Sequence, residues 1–425
     1  MRHPRRARHS DRERGPGTMK VGFVSQWYPP ELGTGVPRAI AQGLARLGNE
    51  VHVLTGFPNY PSGQLYPGYS ISRYMCEQDE EVKVHRAPLY PDHSRSAVRR
   101  MANYVSFAVG ASAVSLRNLP TPDVWLTYSS PATAAIPAML PRRHRAPHAM
   151  IIQDLWPDSV IGSDMAGGRA SQVMAGPLHA FSRATYRSAD GIGVISPGMR
   201  QVLVSRGVDP AVIHDTPNWV DGGSGPRPSQ AEDRTSLNLP TNGAIFLYAG
   251  NLGEMQELVP LIEAFDRVTG AHLVLMGGGA SRDRVVEAAQ GRTNVHVLPP
   301  VDAGVVRAYQ HAADVLVVSL RDTPLLRVTM PSKVQSSMAA GRAIFVHGAG
   351  DVADVVRRAG CGAAAVPRSS EVAVSIQQLV DAGAQAREQM GARARDFYDA
   401  NFSAAAGSRR VHDLLISTVE RHGNR

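Results

Sequence analysis

From Lys20 onward, short runs of apolar, β-branched residues alternate with stretches in which apolar residues recur at helical spacing. Runs that are apolar at every position are typical of strands buried on both faces, and intervening helices indicate βαβ units in a parallel sheet. This first series predicts strands at 20–26, 51–55, 82–87, 123–128, 148–153 and 190–195, and helices at 37–47, 96–117, 131–140 and 171–188.

A segment rich in Gly and Pro, residues 217–226, interrupts this pattern and is predicted to be a hinge. A second series of the same kind follows it, which predicts a second doubly wound half at 227–385 after a first half at 19–216. We expect the C-terminal helix, about 386–425, to pack back onto the first half. The second series predicts strands at 244–249, 272–276, 295–298, 314–319 and 343–347, and helices at 254–268, 281–290, 302–312, 332–341 and 350–358.

The predicted fold class is therefore α/β, with two Rossmann-like domains facing each other across a cleft. In open α/β sheets, ligands bind beyond the carboxyl ends of the strands, where the connections reverse direction. Two such sheets joined by a hinge would bring two ligand edges opposite each other. This arrangement suits a reaction between two substrates, although a fold alone does not determine a function.

The net charge of +8 does not indicate a nucleic-acid-binding surface, because half of it lies in residues 1–18. This leader lacks an apolar segment typical of a secretion signal, and we expect a disordered tail or a mis-assigned start before Met19. The sequence contains no run of about 20 apolar residues, so it predicts no transmembrane helix. The two cysteines, Cys76 and Cys361, are expected to be ordinary thiols of a reducing compartment, and the expected location is cytoplasmic.

Glycine-rich turns follow the first strand of each half. The first turn contains Gly33, Thr34 and Gly35 before a helix, and Arg38 occupies the position where a dinucleotide fingerprint requires its third glycine. Glycines let backbone amides approach a ligand, and a helix N-terminus favours negative charge, but an ordinary tight turn is also consistent with this pattern. The second half has two comparable turns, at 250–256 and 277–279.

The segment 330–341 carries the most informative pattern of the second half. Pro331 and Ser332 are typical of a helix start, and Lys333 adds a full positive charge to the first turn. Lysine is rare in this chain, which contains only Lys20, Lys83 and Lys333. The pattern favours a diphosphate site, and a solvated lysine at a helix end is the alternative.

These motifs together resemble family-four glycosyltransferases of the GT-B fold. More narrowly, they are similar to the subgroup that transfers N-acetyl-L-fucosamine and related sugars in O-antigen, capsule and colanic-acid assembly. The resemblance covers about residues 20–402, in order. It is carried by YPPE-x-G-x-G, LTGFPNYPSGQLYPGY, QDLWPDS, GVISPGM, TPNWVD, YAGNLG, RDTP and PSK…MAAG.

The resemblance implies that the second half binds a nucleoside diphosphate sugar and the first half binds the acceptor. It also implies retention of anomeric configuration without an obligatory metal or cofactor. By position, the donor loop corresponds to Gly250, Asn251, Gly253 and Gln256, and the nucleobase site to Leu298, Pro299 and Val301. The turn containing Gly33, Thr34 and Gly35 would approach the donor from across the cleft.

Two departures from the family pattern affect the expected site. Val328 and Ser336 occupy the positions of an acidic pair that many members carry. Asn251 and Gln256 stand where the larger family has a basic pair, so they cannot neutralise a diphosphate. We therefore expect Lys333, with Arg38 from the first half, to supply the compensating charge.

Asp154 and Asp158 follow a predicted strand and are candidate catalytic groups, since carboxylates there can bind acceptor hydroxyls or accept a proton. The alternative is that Asp154 caps the next turn and Trp156 packs in the core. No D-x-D motif occurs, and His85, His93 and His296 do not have the spacing of metal ligands.

Three arginines, Arg95, Arg99 and Arg100, begin a long helix that also carries Tyr104 and Phe107. A basic amphipathic helix can lie against anionic lipid and bring an enzyme to a lipid-linked acceptor. An ordinary helix with a solvated basic end is the alternative. The first expectation places the protein peripherally at the inner face of the membrane.

The sequence leaves several functions open. The leading interpretation is transfer of an N-acetylhexosamine, or a deoxy relative, from a UDP-sugar to a lipid-linked glycan. A tailoring glycosyltransferase acting on a small natural product and a non-catalytic protein that binds nucleotide sugars are the alternatives. A sugar-nucleotide epimerase or dehydrogenase is disfavoured, because the chain has neither a complete G-x-G-x-x-G nor a Tyr-x-x-x-Lys pair.

Overall fold

The computed structural model of the 425-residue chain describes residues 18–94, 96–141, 145–156, 158, 169–220, 234–368 and 370–424. The chain forms two compact units. Unit 1 comprises Met1–Val194, Arg206–Thr216 and Ser408–Arg425, and unit 2 comprises Ile195–Ser205 and Pro217–Gly407. The predicted leader up to residue 17 and residues 221–226 of the predicted hinge lie outside the described residues.

Unit 1 contains an eight-stranded sheet in the order β3-β4-β2-β1-β5-β6-β7-β8, parallel except for the antiparallel pair β3–β4. The connections reverse direction between β1 and β5, whose register pairs Val21 with Val124. The strands are β1 (Lys20–Val24), β2 (Glu50–Gly56), β3 (Met75–Asp79), β4 (Val82–Ala87), β5 (Val124–Ser129), β6 (His148–Ile152), β7 (Gly191–Val194) and β8 (Ile213–Asp215).

The helices of unit 1 pack against this sheet because their apolar positions face it. In the longest helix, Phe107, Ala111 and Val114 pack in one cluster with Leu54 of β2 and Trp125 of β5. The helices are α1 (Gly35–Arg46), α2 (Ala97–Arg117), α3 (Ile136–Met139) and α4 (Arg169–Ser188).

Unit 2 contains a six-stranded parallel sheet in the order β11-β10-β9-β12-β13-β14. Its connections reverse direction between β9 and β12, which predicts a ligand crevice at the carboxyl ends of these two strands. The strands are β9 (Ala244–Ala249), β10 (Ala271–Met276), β11 (Val295–Leu298), β12 (Val315–Ser319), β13 (Ala343–His347) and β14 (Gly362–Ala365).

Both faces of the second sheet are apolar, as expected for a doubly wound unit. Phe246 of β9 packs in a cluster on one face, and its neighbours Ile245 and Leu247 pack in a cluster on the other. The helices are α5 (Pro197–Ser205), α6 (Leu258–Ala264), α7 (Arg282–Ala289), α8 (Ala303–Ala312), α9 (Pro324–Arg327), α10 (Ser332–Ala340), α11 (Asp351–Ala359), α12 (Glu371–Asp381) and α13 (Gly383–Asn401).

The C-terminal part of the chain differs from the expectation that residues 386–425 pack on the first half. Helix α13 belongs to unit 2, where Ala394 and Tyr398 are buried in one cluster with Met338 and Ile344. A further helix, α14 (Ala404–Gly423), continues into unit 1 from Ser408, and its Leu414 lies against Gly191 of β7. The apolar faces of the two helices therefore pack in different units.

Candidate functional site

The loop after β9 begins with a backbone conformation that strongly favours glycine. Gly250 has a φ of +145°, and an added Cβ would lie 2.7 Å from Nζ of Lys333. The next segment ends in a 3₁₀ turn, Glu254–Gln256. The loop therefore runs close beside the lysine, as a phosphate-binding loop would require.

A second glycine loop follows β10 and packs on the first. The φ of Gly277 is +148°, and a Cβ there would lie only 1.9 Å from the carbonyl oxygen of Gly250. The amide of Leu252 donates a hydrogen bond to the carbonyl of Gly278 at 2.8 Å. Part of the glycine pattern thus has a structural cause, since two backbone segments meet without room for side chains.

Lys333 is partly desolvated at the start of α10. Burial lowers the pKa of its ammonium to about 7, and its Nζ makes a cation–π contact 3.5 Å from the centroid of the Tyr248 ring. The first turn of a helix also disfavours a cation. Within the part of the chain that the structure describes, Lys333 forms no ion pair. This partly desolvated cation is suited to bind an anion.

Asn251 and Gln256, which replace the family's basic pair, are joined to each other. The Asn251 amide donates a hydrogen bond to Oε1 of Gln256 at 3.3 Å, and the same oxygen accepts from the Gly253 backbone amide at 3.1 Å. The Ser319 hydroxyl donates to the Gln256 carbonyl at 2.5 Å, which ties the end of β12 to this loop. The loop is therefore braced by uncharged groups, and the two positions of the family's basic pair carry no charge in this chain.

The predicted nucleobase residues follow β11, beside the second glycine loop. Leu298 and Val301 are partly buried against the cluster that contains Met276, whereas Pro299 is exposed. The Gly277 amide donates to the Leu298 carbonyl at 3.4 Å. Leu298, Pro299 and Val301 thus offer a partly apolar surface next to the glycine loops. Ser332, also predicted to bind the donor, is exposed one residue before Lys333.

In unit 1, a buried carboxylate organises the loop after β1. Glu31 is only 4% exposed and accepts hydrogen bonds from the amides of Tyr28 at 3.0 Å, Asn59 at 2.7 Å and Tyr60 at 2.9 Å. Burial raises the pKa of this carboxyl to about 7. Glu31 is not recognisable as a site residue from the sequence, because its partners at 59–60 come from a separate loop.

Glu31 also positions the predicted Gly33–Gly35 turn. The Thr34 hydroxyl donates to the Glu31 carbonyl at 2.6 Å, and α1 begins at Gly35. A Cβ at Gly33 or Gly35 would meet no atom of the residues that the structure describes within 4 Å, although the φ of +77° favours glycine at Gly33. Local packing therefore gives no reason for glycine at Gly35, which is compatible with an approach to a ligand.

Arg38 is engaged inside unit 1. Its guanidinium forms a two-pronged ion pair with Asp79, at 2.9 and 2.7 Å, and lies 3.4 Å from Glu80. The Tyr28 hydroxyl donates to Asp79 at 2.9 Å. The structure therefore gives the Arg38 charge two carboxylate partners within unit 1, and a role of Arg38 at the donor stays a prediction.

The two candidate catalytic carboxylates after β6 have different partners. Asp154 accepts a hydrogen bond from the Ser130 hydroxyl at 2.7 Å, and partial burial raises the pKa of this carboxyl although solvent still reaches it. Asp158 forms an ion pair with Arg206. Asp154 is therefore the better candidate to accept a proton. Trp156 is only 4% exposed and packs near Tyr104, as the alternative interpretation expected.

The two parts of the chain match two glycosyltransferase family models. Residues 34–219 match the family model "Glycosyl transferase 4-like domain", and residues 229–397 match "Glycosyl transferases group 1". The chain is also 30% identical over 336 residues, which are 76% of this chain and 82% of the relative, to WcaI of Escherichia coli (strain K12). WcaI is named as a colanic acid biosynthesis glycosyl transferase.

This chain is a group 1 glycosyltransferase. Solved structures of other proteins are similar in fold to this glycosyltransferase. Sucrose-phosphate synthase from Thermosynechococcus elongatus has a TM-score of 0.70 at 19% identity, covering 93% of this chain and 98% of that one. HepE of Anabaena, solved with UDP, has a TM-score of 0.65 at 14% identity, covering 94% and 100%. The predicted α/β fold with two Rossmann-like domains is confirmed.

His85, His93 and His296 of the glycosyltransferase each contact another side chain of the same chain. Nε2 of His85 lies 3.0 Å from a ring nitrogen of His52, the ring of His93 meets that of Tyr60 edge-on, and Nε2 of His296 lies 3.2 Å from His272. Within the described ranges, no group of three or more potential ligands is arranged to hold a metal.

No helix of the described residues has both the length and the apolar character needed to cross a membrane.

Proposed function

We propose that this glycosyltransferase transfers a sugar from a UDP-sugar bound by unit 2 to a lipid-linked glycan bound by unit 1. The observation that carries the donor assignment is Lys333, a partly desolvated cation beside Gly250 and without an ion pair among the described residues. A diphosphate would compensate this charge and accept hydrogen bonds from the N-terminus of α10.

The chemistry of the sugar and of the pathway is proposed from the resemblance and the relatives. The motifs favour an N-acetylhexosamine or a deoxy relative and retention of configuration. WcaI is named for colanic acid biosynthesis, and HepE has been solved with UDP, which support a role in envelope polysaccharide assembly and the choice of uridine. In this proposal Asp154 binds or deprotonates the acceptor hydroxyl, and Lys333 stabilises charge on the leaving diphosphate.

A ligand panel tests the donor assignment directly. Thermal unfolding of the full chain would be followed with UDP, GDP, ADP and their sugars, with NAD as a control. A ligand at 100 times its Kd stabilises a protein by about 2.7 kcal/mol, which shifts the melting temperature by a few degrees. Stabilisation by UDP and a UDP-sugar is expected. Absence of any response to the nucleotides would refute the donor site.

A surface of α2 supports contact with membrane and therefore a lipid-linked acceptor. Val98, Val105, Val109 and Leu116 follow one another at intervals of seven, four and seven residues and are 80%, 47%, 66% and 59% exposed. They form an apolar stripe along one side of the helix. Arg99 near the start of the helix and Arg117 at its end add positive charge, whereas Arg95 lies outside the described residues.

We propose that this stripe inserts into the interface of an anionic membrane. Val105→Asp combined with Val109→Asp should abolish flotation with vesicles that contain phosphatidylglycerol, because it places charge on the inserting face. Val374→Asp, at an exposed valine of unit 2 (56% exposed), is the control and should float like the unmodified protein. Equal flotation of all three proteins would exclude the stripe as the membrane contact and favour a small natural product as acceptor.

One observation favours a non-catalytic nucleotide-sugar-binding protein as the second candidate. Val328 and Ser336 replace the acidic pair, and Val328 is used in packing, since a Cβ on Gly198 would lie 2.6 Å from its side chain. The two candidates differ in turnover. Slow hydrolysis of a UDP-sugar without acceptor is expected of the enzyme, whereas UDP binding without any hydrolysis or transfer would identify a binding protein.

A further inference from the structure

A cavity of about 320 Å³ opens in unit 1 between the end of α4 and the segment that follows α5. Three arginines line it, Arg183, Arg187 and Arg206. The remaining wall includes Tyr186 and Val212, which are both only 6% exposed. The cavity thus combines positively charged residues with an apolar surface.

The charges in this cavity are only partly compensated within the protein. Arg183 and Arg187 lie one turn apart on α4 and are exposed, and neither forms an ion pair among the residues that the structure describes. Asp209 also lines the cavity, but its carboxylate accepts a hydrogen bond from the Ala211 amide at 2.9 Å and so caps a 3₁₀ turn. Cations at this spacing on a helix repel each other, so a bound anion would relieve the repulsion.

The chemistry of the cavity favours a phosphate group over a single carboxylate. Guanidinium groups match phosphate oxygens with paired hydrogen bonds, and the two charges of Arg183 and Arg187, which have no ion pair among the described residues, can balance more than one negative charge. The walls formed by Ala189, Val208 and Val212 would contact a carbon-bearing part of the same ligand. We propose that this cavity is a second anion site, which binds a phosphate or diphosphate group and is distinct from the donor site of unit 2.

Arg206 connects this cavity to the segment that carries Asp154. Its guanidinium donates to the Trp156 carbonyl at 2.8 Å and pairs with the Asp158 carboxylate, while it also lines the cavity. A phosphate in the cavity would share Arg206 with Asp158 and weaken that pair. Occupancy would thereby alter the segment after β6. This coupling rests on the proposed acceptor role of that segment, whereas the anion site itself does not.

Isothermal titration with inorganic pyrophosphate, with one equivalent of UDP added to fill the donor site, tests the cavity on the full chain. The unmodified protein should still bind pyrophosphate, because one equivalent of UDP cannot fill both sites. The double variant Arg183→Gln/Arg187→Gln should bind it about tenfold more weakly or not at all. A matched control, Arg267→Gln/Arg307→Gln, removes the same charge from two exposed arginines of unit 2 and should leave the affinity unchanged.

Equal pyrophosphate affinity of the Arg183/Arg187 variant and the unmodified protein would overturn the proposal, provided that circular dichroism shows both folded. The absence of pyrophosphate binding to the unmodified protein would overturn it as well. Pyrophosphate is also titrated into Lys333→Ala without UDP, so that the donor site and the cavity are tested separately. If UDP does not bind to the unmodified protein, the donor proposal fails. The effect of Arg183→Gln/Arg187→Gln on pyrophosphate affinity still decides whether the cavity is an anion site.

Vesicles distinguish the two sources of the phosphate. Sedimentation with phosphatidylcholine vesicles that contain phosphatidic acid is compared with phosphatidylcholine alone. If the Arg183→Gln/Arg187→Gln variant loses both pyrophosphate binding and sedimentation, the site takes a lipid-borne phosphate. If it loses pyrophosphate binding alone, the site takes a free phosphate. Retention of both activities would contradict the site.

Discussion

At the scale of single residues, Lys333 combines burial with an unfavourable position in its helix. The side chain is partly desolvated, and it lies in the first turn of α10, where the helix dipole disfavours a cation. The cation–π contact with Tyr248 offsets part of this cost, and a bound anion would offset more. A residue that is costly to the folded chain and lies beside a glycine loop is typical of a binding site.

Lys333→Ala should weaken UDP binding about tenfold to a hundredfold, because a charge-assisted hydrogen bond contributes roughly 1.5–3 kcal/mol. The turnover rate should fall as well, since the charge on the leaving diphosphate grows in the transition state. Calorimetry gives the affinity and a coupled assay of released UDP gives the rate. Lys83→Ala, at an exposed lysine of β4, is the control. Unchanged affinity and rate in Lys333→Ala would exclude this residue from the donor site.

UDP affinity should fall as the pH rises through the pKa of Lys333, which burial lowers to about 7. The protonated form binds the diphosphate, so a bound anion raises the pKa and binding takes up a proton. Above about pH 7 the affinity should therefore fall up to tenfold for each pH unit. Titrations in buffers of different ionisation enthalpy measure the proton uptake. A pH dependence that is identical in Lys333→Ala would assign it to another group.

Sequence reasoning at this scale identified residues in motifs and missed residues whose partners are remote. Lys333 was found from its rarity and from the Pro-Ser start of its helix. Glu31 and Arg206 were not identified as site residues, because the amides around Glu31 belong to residues 59 and 60 and the carboxylate beside Arg206 belongs to Asp158. Arg38 was singled out from its place after the glycine turn, whereas its ion-pair partner Asp79 is 41 residues away in sequence.

At the scale of secondary structure elements, close backbone packing defines the donor loops. The carboxyl ends of β9 and β10 are followed by glycine loops that touch through main-chain atoms. No side chain fits between Gly277 and the carbonyl of Gly250, so the two loops can approach only with glycine at that position. The geometry that brings Gly250 to Lys333 therefore depends on a neighbouring loop.

Gly277→Ala should destabilise the protein by about 1–3 kcal/mol and reduce UDP affinity, since the new Cβ would displace the first loop. Gly278→Ala is the matched control. Its Cβ would have its nearest neighbour at 3.8 Å, an ordinary contact, so the change in stability should be small. Urea denaturation measures both variants. Equal stabilities of the two variants would mean that the loops can move apart without cost.

The strands that the sequence predicted are buried on both faces or lie beside such strands. The strands that it missed, β3, β8 and β14, all lie at sheet edges. Strand β3 alternates between half-buried and exposed residues, β8 has three residues, and β14 consists of glycine and alanine. Edge strands bury less apolar surface, so their composition carries a weaker signal. Their pairing depends on the neighbouring strand, which the local sequence does not reveal.

At the scale of the whole molecule, the chain crosses between the units more than once. Helix α5 belongs to unit 2 although it lies between two segments of unit 1, and α14 returns to unit 1 after α13. The fully buried Leu414 of α14 contacts the glycines of β7. The last helix thus contributes to the core of unit 1, whereas the proposed donor residues Gly250, Asn251 and Lys333 belong to unit 2.

Leu414→Ala should therefore destabilise unit 1 by roughly 2–5 kcal/mol, the usual cost of a cavity at a buried leucine. UDP affinity at low temperature should stay unchanged, because Leu414 belongs to unit 1 and the proposed donor residues Gly250, Asn251 and Lys333 belong to unit 2. Val374→Ala, at an exposed site, should have little effect on either quantity. Calorimetric unfolding and UDP titration provide the two measurements. A loss of UDP affinity in folded Leu414→Ala would show that the donor site depends on this helix.

The sequence alone determined the family, the two doubly wound sheets and the position of Lys333, because these depend on local periodicity and on motifs of adjacent residues. The tertiary structure decided which charges have partners. It pairs Arg38 with Asp79 and Asp158 with Arg206, joins Glu31 to three amides, and leaves Lys333 without an ion pair within the described part of the chain. Partners remote in sequence set the charge of a site, and only the fold brings them together.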